Sequence, residues 1–364
     1  MMSFRFSPAP PSLYRLAGSR MITKQLHQVA RPEGLPEPHQ FAVREVKLRE
    51  LAAGEVLVEN LYMSIDPYMR RSMDSVATDM EPWPLHGALN GPSIGRVVQS
   101  RNAAFAEGDI VESMSGWQEH FISGGDKFIT YISADNAIAK RDINGDAQPK
   151  DFLGLLGIAA QTAYFGMTCA ADPQAGETVV ISSGAGTVGS VACQIGKIGG
   201  LRVVTSAGSD AKVRWLRESL RVDYAFNYKL GSIGDELAKA CPDGIDLVLE
   251  NASAEHFSAC LPLMNDQKTM LIAGFISIYS TGGVVDSIKN FQFVLDRYLT
   301  IKAFPFMNYL DAYERFVSDM LQWRRSGQMQ FEENICHGLE AAPAALCALF
   351  NGNSHGKSLV KLAD

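Results

Sequence analysis

The sequence predicts an α/β chain in which a doubly wound parallel sheet is inserted into a β-rich domain. Three observations support this. Residues 21–150 hold short strand-like runs separated by glycine and proline breakers, residues 151–327 alternate strands with helices, and residues 328–364 return to strand-like pieces. The tail, ending in Ser358-Leu359-Val360-Lys361, is therefore expected to rejoin the first domain.

Residues 1–20 stand apart, with Arg5, Arg15 and Arg20, no acid, and Ala9-Pro10-Pro11. They read either as an organelle-targeting segment or as sequence translated ahead of a start at Met21, expected to add little to the core. The second is preferred, because the prolines would break an amphipathic helix. Strand alternation follows at Phe41–Lys47, 55–61, 95–99, 108–111 and 128–131, with Gly91-Pro92 and Gly124-Gly125 as breakers. In the second unit 246–250, 269–272 and 299–303 are strand-like, and 311–325 is an amphipathic helix.

The most informative stretch begins with the β-branched run Thr178–Ile181 and continues into Gly184-Ala185-Gly186-Thr187-Val188-Gly189. Apolar residues at helical spacing follow: Val188, Val191, Ile195 and Ile198. Strand, G-x-G-x-x-G turn and helix suit a dinucleotide pyrophosphate. The first glycine is read as the sharp turn, the second as room for the phosphates, and the third as close helix–strand packing. Free N–H groups at the helix start would then face the anion.

A second strand covers 201–205. NAD-preferring sites place an acid just after it, about 20 residues beyond the glycines, to hold the ribose 2′-OH. Here that place holds Ser206-Ala207-Gly208-Ser209, with Lys212 beyond. Hydroxyls and a cation suit a 2′-phosphate, so NADPH is the expected cofactor, although Lys212 could equally be a solvated helix residue. Asp210 reads as the cap of a helix starting near Ala211.

Composition narrows the classes. The 364 residues, 46% hydrophobic and 20% charged, suit about two globular domains. A net charge of −7 without a basic block argues against nucleic acid, and no apolar run reaches the roughly 18 residues of a membrane span. Cys169, Cys193, Cys241, Cys260, Cys336 and Cys347 are scattered and read as buried thiols of a reducing compartment, with the cytoplasm expected. No metal site is expected: His86, His120 and His256 stand apart and no Gly-His-Glu occurs.

Further segments carry a resemblance that runs from about Met21 to Leu362. They are Ser64-Ile65-Asp66-Pro67-Tyr68-Met69-Arg70, Gly116-Trp117-Gln118-Glu119, Gln161-Thr162-Ala163-Tyr164-Phe165-Gly166, Ala207-Gly208-Ser209-Asp210, Phe226-Asn227-Tyr228-Lys229 and Gly274-Phe275-Ile276-Ser277-Ile278-Tyr279. With them the chain resembles the medium-chain dehydrogenase/reductase superfamily. Within it, the chain is similar to the zinc-independent branch of prostaglandin/leukotriene, alkenal double-bond and curcumin reductases. The resemblance implies a GroES-like domain beside a Rossmann domain, a homodimer, and NADPH-dependent reduction of a small-molecule enone or enal.

It also implies residue roles. Gly186, Thr187, Val188 and Gly189 would cradle the pyrophosphate, and Lys212 and Tyr228 would hold the 2′-phosphorylated adenosine end. Asn251 would lie by the nicotinamide ribose; Gly274, Phe275, Ile276 and Tyr279 would pass the nicotinamide, and Phe304, Pro305 and Phe306 its carboxamide. Two departures stand out. Asn251-Ala252-Ser253-Ala254 replaces the family's Asn-Val-Gly-Gly, removing an easy positive-φ conformation, and Ser354 replaces an asparagine before Gly356-Lys357.

Without a zinc ion to polarise an isolated carbonyl, an activated C=C is the easier target. Hydride on the β-carbon builds charge on oxygen, which needs one or two aimed donors. Tyr279 is the preferred phenol and Tyr68 the second; either could instead pack its ring. Asp66 reads as a turn cap, and Arg70 and Arg71 as partners in domain ion pairs, with a role toward acidic substrates left open. Three functions stand: a C=C reductase, a quinone oxidoreductase of the same superfamily, and a catalytically silent NADPH-binding protein.

Overall fold

The structure is a computed structural model that describes residues 21–76, 81–128, 136–143, 146–279, 285, 287–352 and 355–364. Its first part holds β1 (Ile22–Gln28), β2 (Phe41–Lys47), β3 (Val56–Ile65), the short helix α1 (Met69–Ser72), β4 (Ser93–Ser100), β5 (Ile110–Ser113), β6 (His120–Ser123) and β7 (Ile138–Lys140). Strands β1 and β2 form an antiparallel pair of their own. The ten residues of β3 are long enough to carry β4 along one edge and, along the other, β6 at one end. Val56 and Val58 pack in one apolar cluster and Met63 and Ile65 in another, all at most 1% exposed, so this strand is the spine of the domain.

Helix α2 (Ile158–Phe165) leads into the second unit. There β8 (Thr178–Ile181), α3 (Thr187–Ile198), β9 (Arg202–Ala207), α4 (Asp210–Glu218), β10 (Tyr224–Asn227), α5 (Ile233–Ala240), β11 (Ile245–Glu250), α6 (Ala254–Cys260), β12 (Met264–Ile272), α7 (Gln292–Asp296) and β13 (Thr300–Ala303) alternate. The strands form one parallel sheet in the order β10-β9-β8-β11-β12-β13. Order reverses between β8 and β11, and in such sheets ligands bind outside the carboxyl ends at that point. Val179, Val180, Ile181, Val203, Val204, Val248 and Leu249 are fully buried, as strands covered by helices on both faces must be. Serine starts three helices: Ser209, Ser232 and Ser253 each accept the backbone N–H three residues on.

After α8 (Tyr313–Arg325) come β14 (Glu333–His337), α9 (Ala342–Phe350) and β15 (Lys357–Lys361). The tail does return: β15 pairs antiparallel with β3 and parallel with β14, completing the seven-stranded sheet of the first part. The Rossmann unit is thus inserted in a GroES-like β-rich domain.

Several local readings need correction. The segment read as a strand at 108–111 starts later, because Gly108 adopts φ 94° in a turn and pairing begins at Ile110. Of 128–131 only Phe128 lies within the described residues, and it belongs to no strand; the neighbouring Lys127 makes an isolated bridge to Ile138. Strand β12 begins at Met264, ahead of the predicted 269, through a polar run that hid it. Residues 311 and 312 end a 3₁₀ turn before α8. Cys193, Cys241 and Cys260 are buried, whereas Cys169, Cys336 and Cys347 are half-buried. Burial pushes the Cys193 thiol up to about 12 and Cys241 to about 11, which makes both poor nucleophiles.

The glycine turn also differs in detail. The left-handed residue is Ser183, φ 55°, rather than Gly184. Gly184 is required by proximity instead: a Cβ there would lie 2.0 Å from Thr205 Oγ1. At Gly189 a Cβ would lie 2.3 Å from the Ser183 carbonyl oxygen, which is backbone and cannot swing away. Gly189→Ala should therefore destabilise the fold by about 1–3 kcal/mol. Urea unfolding checks this, and an unchanged midpoint would refute the close-packing role.

Candidate functional site

At the carboxyl ends of the parallel strands a cleft of about 500 Å³ opens, a volume suited to a cofactor-sized ligand. One wall is the glycine turn, with Ser183, Ala185, Gly186 and Thr187. Helix α3 points its N-terminus here, with Gly186 as N-cap at φ −79° and ψ 170°. A Cβ on Gly186 would meet only Ser183, at 3.3 Å or more, so the bare face of this residue leaves room for an approaching anion.

Beyond β9 the cleft is lined by Ser206, Ala207, Gly208, Lys212, Tyr228 and Lys229. These converge on Gly208: a Cβ there would sit 3.1 Å from the Tyr228 hydroxyl and 3.4 Å from Lys229 Cε. The Lys212 ammonium donates to the Gly352 carbonyl at 2.7 Å, so it is not a freely solvated helix residue. Burial, and then the charge of Lys229, hold it below the usual lysine range. Two cations facing each other beside a phenol make a cradle for an anion. Asp210 does not oppose it, being turned to Asn227 Nδ2 at 2.8 Å; the cap of α4 is Ser209, whose hydroxyl accepts the Lys212 N–H at 3.4 Å, and not Asp210. Lys229 went unremarked as a candidate ligand because it follows the strand one over, and only pairing of β10 with β9 brings it to Gly208.

The loops after β11 and β12 are joined by backbone bonds. Ala273 and Gly274 N–H donate to the Glu250 carbonyl at 2.9 and 3.2 Å, Ile276 N–H to Asn251 at 3.1 Å, and Ser277 N–H to Ala252 at 3.1 Å. Asn251 is held in turn on Ser182, its N–H 2.6 Å from the hydroxyl and its Nδ2 3.4 Å from the carbonyl. The missing glycines of this loop carry no conformational cost, since Ser253 is extended at φ −161° and ψ 161° and no residue of 251–254 has positive φ. Phe275 packs edge-on against Phe257, and Ile276 and Ser277 reach the cleft. Tyr279 is half-buried at the end of the 3₁₀ turn Ile276–Tyr279.

On the opposite wall stand Ile65, Asp66 and Pro67 from the end of β3. Asp66 is not a simple turn cap: its carboxylate pairs with Lys357 Nζ and accepts from Ser64 Oγ. Tyr68 packs against the β-rich core. Arg70 pairs with Asp74 at 2.7 Å inside that domain. Phe304 and Phe306 are both 7% exposed, with exposed Pro305 between them. A Cβ on Gly166 would touch Phe304 at 2.7 Å, while Phe306 borders a second cavity of about 350 Å³ with Glu112, Arg141 and Tyr313. In that cavity burial pushes the Glu112 carboxyl up, opposed by Arg141 at 2.6 Å. Ser354 lies outside the described residues.

Among the described residues no group of three or more His, Cys, Asp or Glu could hold a metal ion, and no helix is long and apolar enough to cross a membrane. Fold and cleft define a dinucleotide-binding protein of two interlocked domains. Residues 24–131 match the N-terminal domain of oxidoreductase family, and residues 187–323 the zinc-binding dehydrogenase family. The chain is 32% identical to NADPH-dependent curcumin reductase of Escherichia coli (strain K12), over 92% of this chain and 95% of that one. It is 34% identical to prostaglandin reductase 1 of Bos taurus, over 90% and 95%. The crystal structure of CurA in complex with NADPH from Vibrio vulnificus superposes with a TM-score of 0.85 at 30% identity, covering 94% of this chain and 99% of that one. The chain belongs to the medium-chain dehydrogenase/reductase superfamily, in its zinc-independent branch with the curcumin and prostaglandin reductases.

Proposed function

We propose that the chain is an NADPH-dependent reductase of the C=C bond of α,β-unsaturated carbonyl compounds. The observation that carries this reading is a single cleft lined by the phosphate turn, the Lys212–Lys229 cradle and the start of the loop leading to Tyr279. The relatives agree with this reading, one being an NADPH-dependent curcumin reductase and the other a prostaglandin reductase. In this reading residues 151–327 hold the cofactor, and 21–150 with 328–364 close over the substrate.

The residues present fit the cofactor. The N-terminus of α3, with Gly186, Thr187, Val188 and Gly189, binds the diphosphate; Lys212, Lys229 and Tyr228 bind the 2′-phosphate. Asn251 and residues 274–276 orient the nicotinamide end, with Phe304 and Phe306 packing behind the loops. Bound NADPH supplies the hydride that goes to the β-carbon of the acceptor. The Tyr279 hydroxyl donates to the carbonyl oxygen as enolate charge develops there, and the α-carbon then takes up a proton from solvent, with Tyr68 as the second phenol at the site.

A second copy of the chain is proposed to cover the outer edge of β13. Among the described residues β13 pairs only with β12, and Phe291, Leu295 and Tyr298 nearby are 51%, 77% and 75% exposed. Sedimentation should give a dimer, and Leu295→Asp should shift it toward monomer; a monomeric unmutated chain would refute the interface.

Removing either cradle lysine should weaken NADPH and spare NADH. Lys212→Ala and Lys229→Ala are each expected to raise the NADPH Kd roughly 10-fold or more, the scale of a charge-assisted bond. Equal NADPH and NADH affinities in the unmutated protein would sink the 2′-phosphate assignment.

NADPH oxidation followed by absorbance tests the reaction itself. A 2-alkenal or enone should be consumed; turnover confined to quinones, or binding without turnover, would overturn the reading. Tyr279→Phe should lower kcat roughly 10- to 1000-fold with NADPH affinity nearly constant. If Tyr279→Phe, Tyr68→Phe and the double variant all keep full kcat, neither phenol takes part.

A further inference from the structure

The cleft has to admit a polyanion, yet among the described residues two carboxylates stand on its walls, Asp66 and Glu255. Glu255 is exposed, where water and salt screen its charge. Asp66 is not: its side chain is only 16% exposed, so its charge acts across the cleft at a lower effective dielectric. Its Oδ1 accepts from Lys357 Nζ and its Oδ2 from Ser64 Oγ. With both oxygens accepting, the group is an ionised carboxylate. Ser64 is neutral and 1% exposed, so the cation held against this charge is Lys357.

Lys357 does not itself open on the cleft. Gly356 and Ser358 border it, whereas Lys357 between them is 2% exposed. The chain is fixed there from both sides. Gly356 N–H donates to the Ala185 carbonyl at 3.0 Å, Thr187 Oγ1 to the Gly356 carbonyl at 3.0 Å, and Lys357 N–H to the Glu332 carbonyl at 2.8 Å. Ala185 and Thr187 belong to the phosphate turn, so the ammonium is placed by the element that receives the diphosphate.

Charge is what this arrangement controls. Stripped of its cation, a half-buried carboxylate on this wall would raise the energy of any anion bound in the cleft. As a pair, Asp66 and Lys357 present no net charge to it.

We propose that Lys357 is a positioning residue that acts through Asp66: it fixes the carboxylate and cancels its charge, so that the wall facing the phosphate turn does not repel the dinucleotide. This rests on the NADPH reading above, and adds to it a residue that touches no part of the ligand.

The test is the sign of two substitutions that break the same pair. NADPH Kd values are measured by fluorescence for Lys357→Met, Asp66→Asn and the double variant, with urea midpoints to separate loss of folding from loss of binding. Lys357→Met leaves a bare carboxylate and should raise the Kd about 5- to 20-fold, the scale of one unanswered charge across a protein cleft. Asp66→Asn leaves a bare cation and should lower the Kd or leave it unchanged. The double variant carries neither charge and should bind NADPH nearly as the unmutated protein does. A pair that only braces the fold would weaken binding in both single variants with no recovery in the double, and that result would overturn the proposal. Should Lys357→Met fail to fold, a raised Kd in Asp66→Asn is enough to overturn it. An unmutated chain that binds no NADPH would defeat the cofactor reading, and the proposal falls with it.

Discussion

A carboxylate stripped of water sits where the two halves of the parallel sheet meet, and the geometry of the cleft depends on how it is satisfied. Glu250 ends β11, Ser182 follows β8, and the hydrogen bond between them spans the point where strand order reverses. Burying such a group is tolerable only when its oxygens are supplied with donors. The chain supplies the hydroxyl, two backbone N–H groups and an imidazole, and each of these donors also fixes something else. The hydroxyl anchors Asn251, the two N–H groups set the turn into α6, and the imidazole completes the floor. Because Ala273 and Gly274 bond the carbonyl of the same residue, the loop toward Tyr279 inherits its position from Glu250 as well.

The tail is the second organising element. Residues 356 and 357 touch both domains: Gly356 bridges Gly186 and accepts from Thr187 Oγ1 at 3.0 Å, while the adjacent Lys357, 2% exposed, pairs with Asp66. Nearby, Gly352 holds Lys212 through its carbonyl. The phosphate turn, the cationic cradle and the Asp66–Tyr68 segment are therefore all connected through one stretch of chain. Gly356 itself is at φ 69°, and a Cβ there would lie 2.3 Å from the Glu332 carbonyl oxygen, so only glycine fits this crossing.

Much of the fold was legible in the residues, and particular misses show where legibility ends. Thr178–Ile181 followed by the glycine turn announced β8 and α3, because burial on both faces demands a β-branched run and close packing demands glycine. The reading that Gly184 makes the turn failed in an instructive way: the turn is at Ser183, and Gly184 is small because Thr205, on the next strand, leaves no room. Local chemistry suggested the right residue type for the wrong reason. The early part of β12 was hidden by its own polar residues, and β7, three residues long, is defined mainly by pairing with β5.

The same division holds at the site. The sequence by itself determined the class of ligand, since an anion-binding turn and the lack of an acid at Ser206–Ser209 are local in the chain, and it determined the family through segments that need no contacts to be recognised. Tertiary structure alone decided which groups face one another. Lys229 joined Lys212 because β10 lies beside β9. Asp66 met Lys357 because the tail returns to β3. His256, isolated in the sequence, became half of a buried pair once β11 and the first turn of α6 folded over Glu250. Backbone pattern is set by neighbours along the chain, whereas hydrogen-bond partners are set by distances that exist only after the sheet has formed.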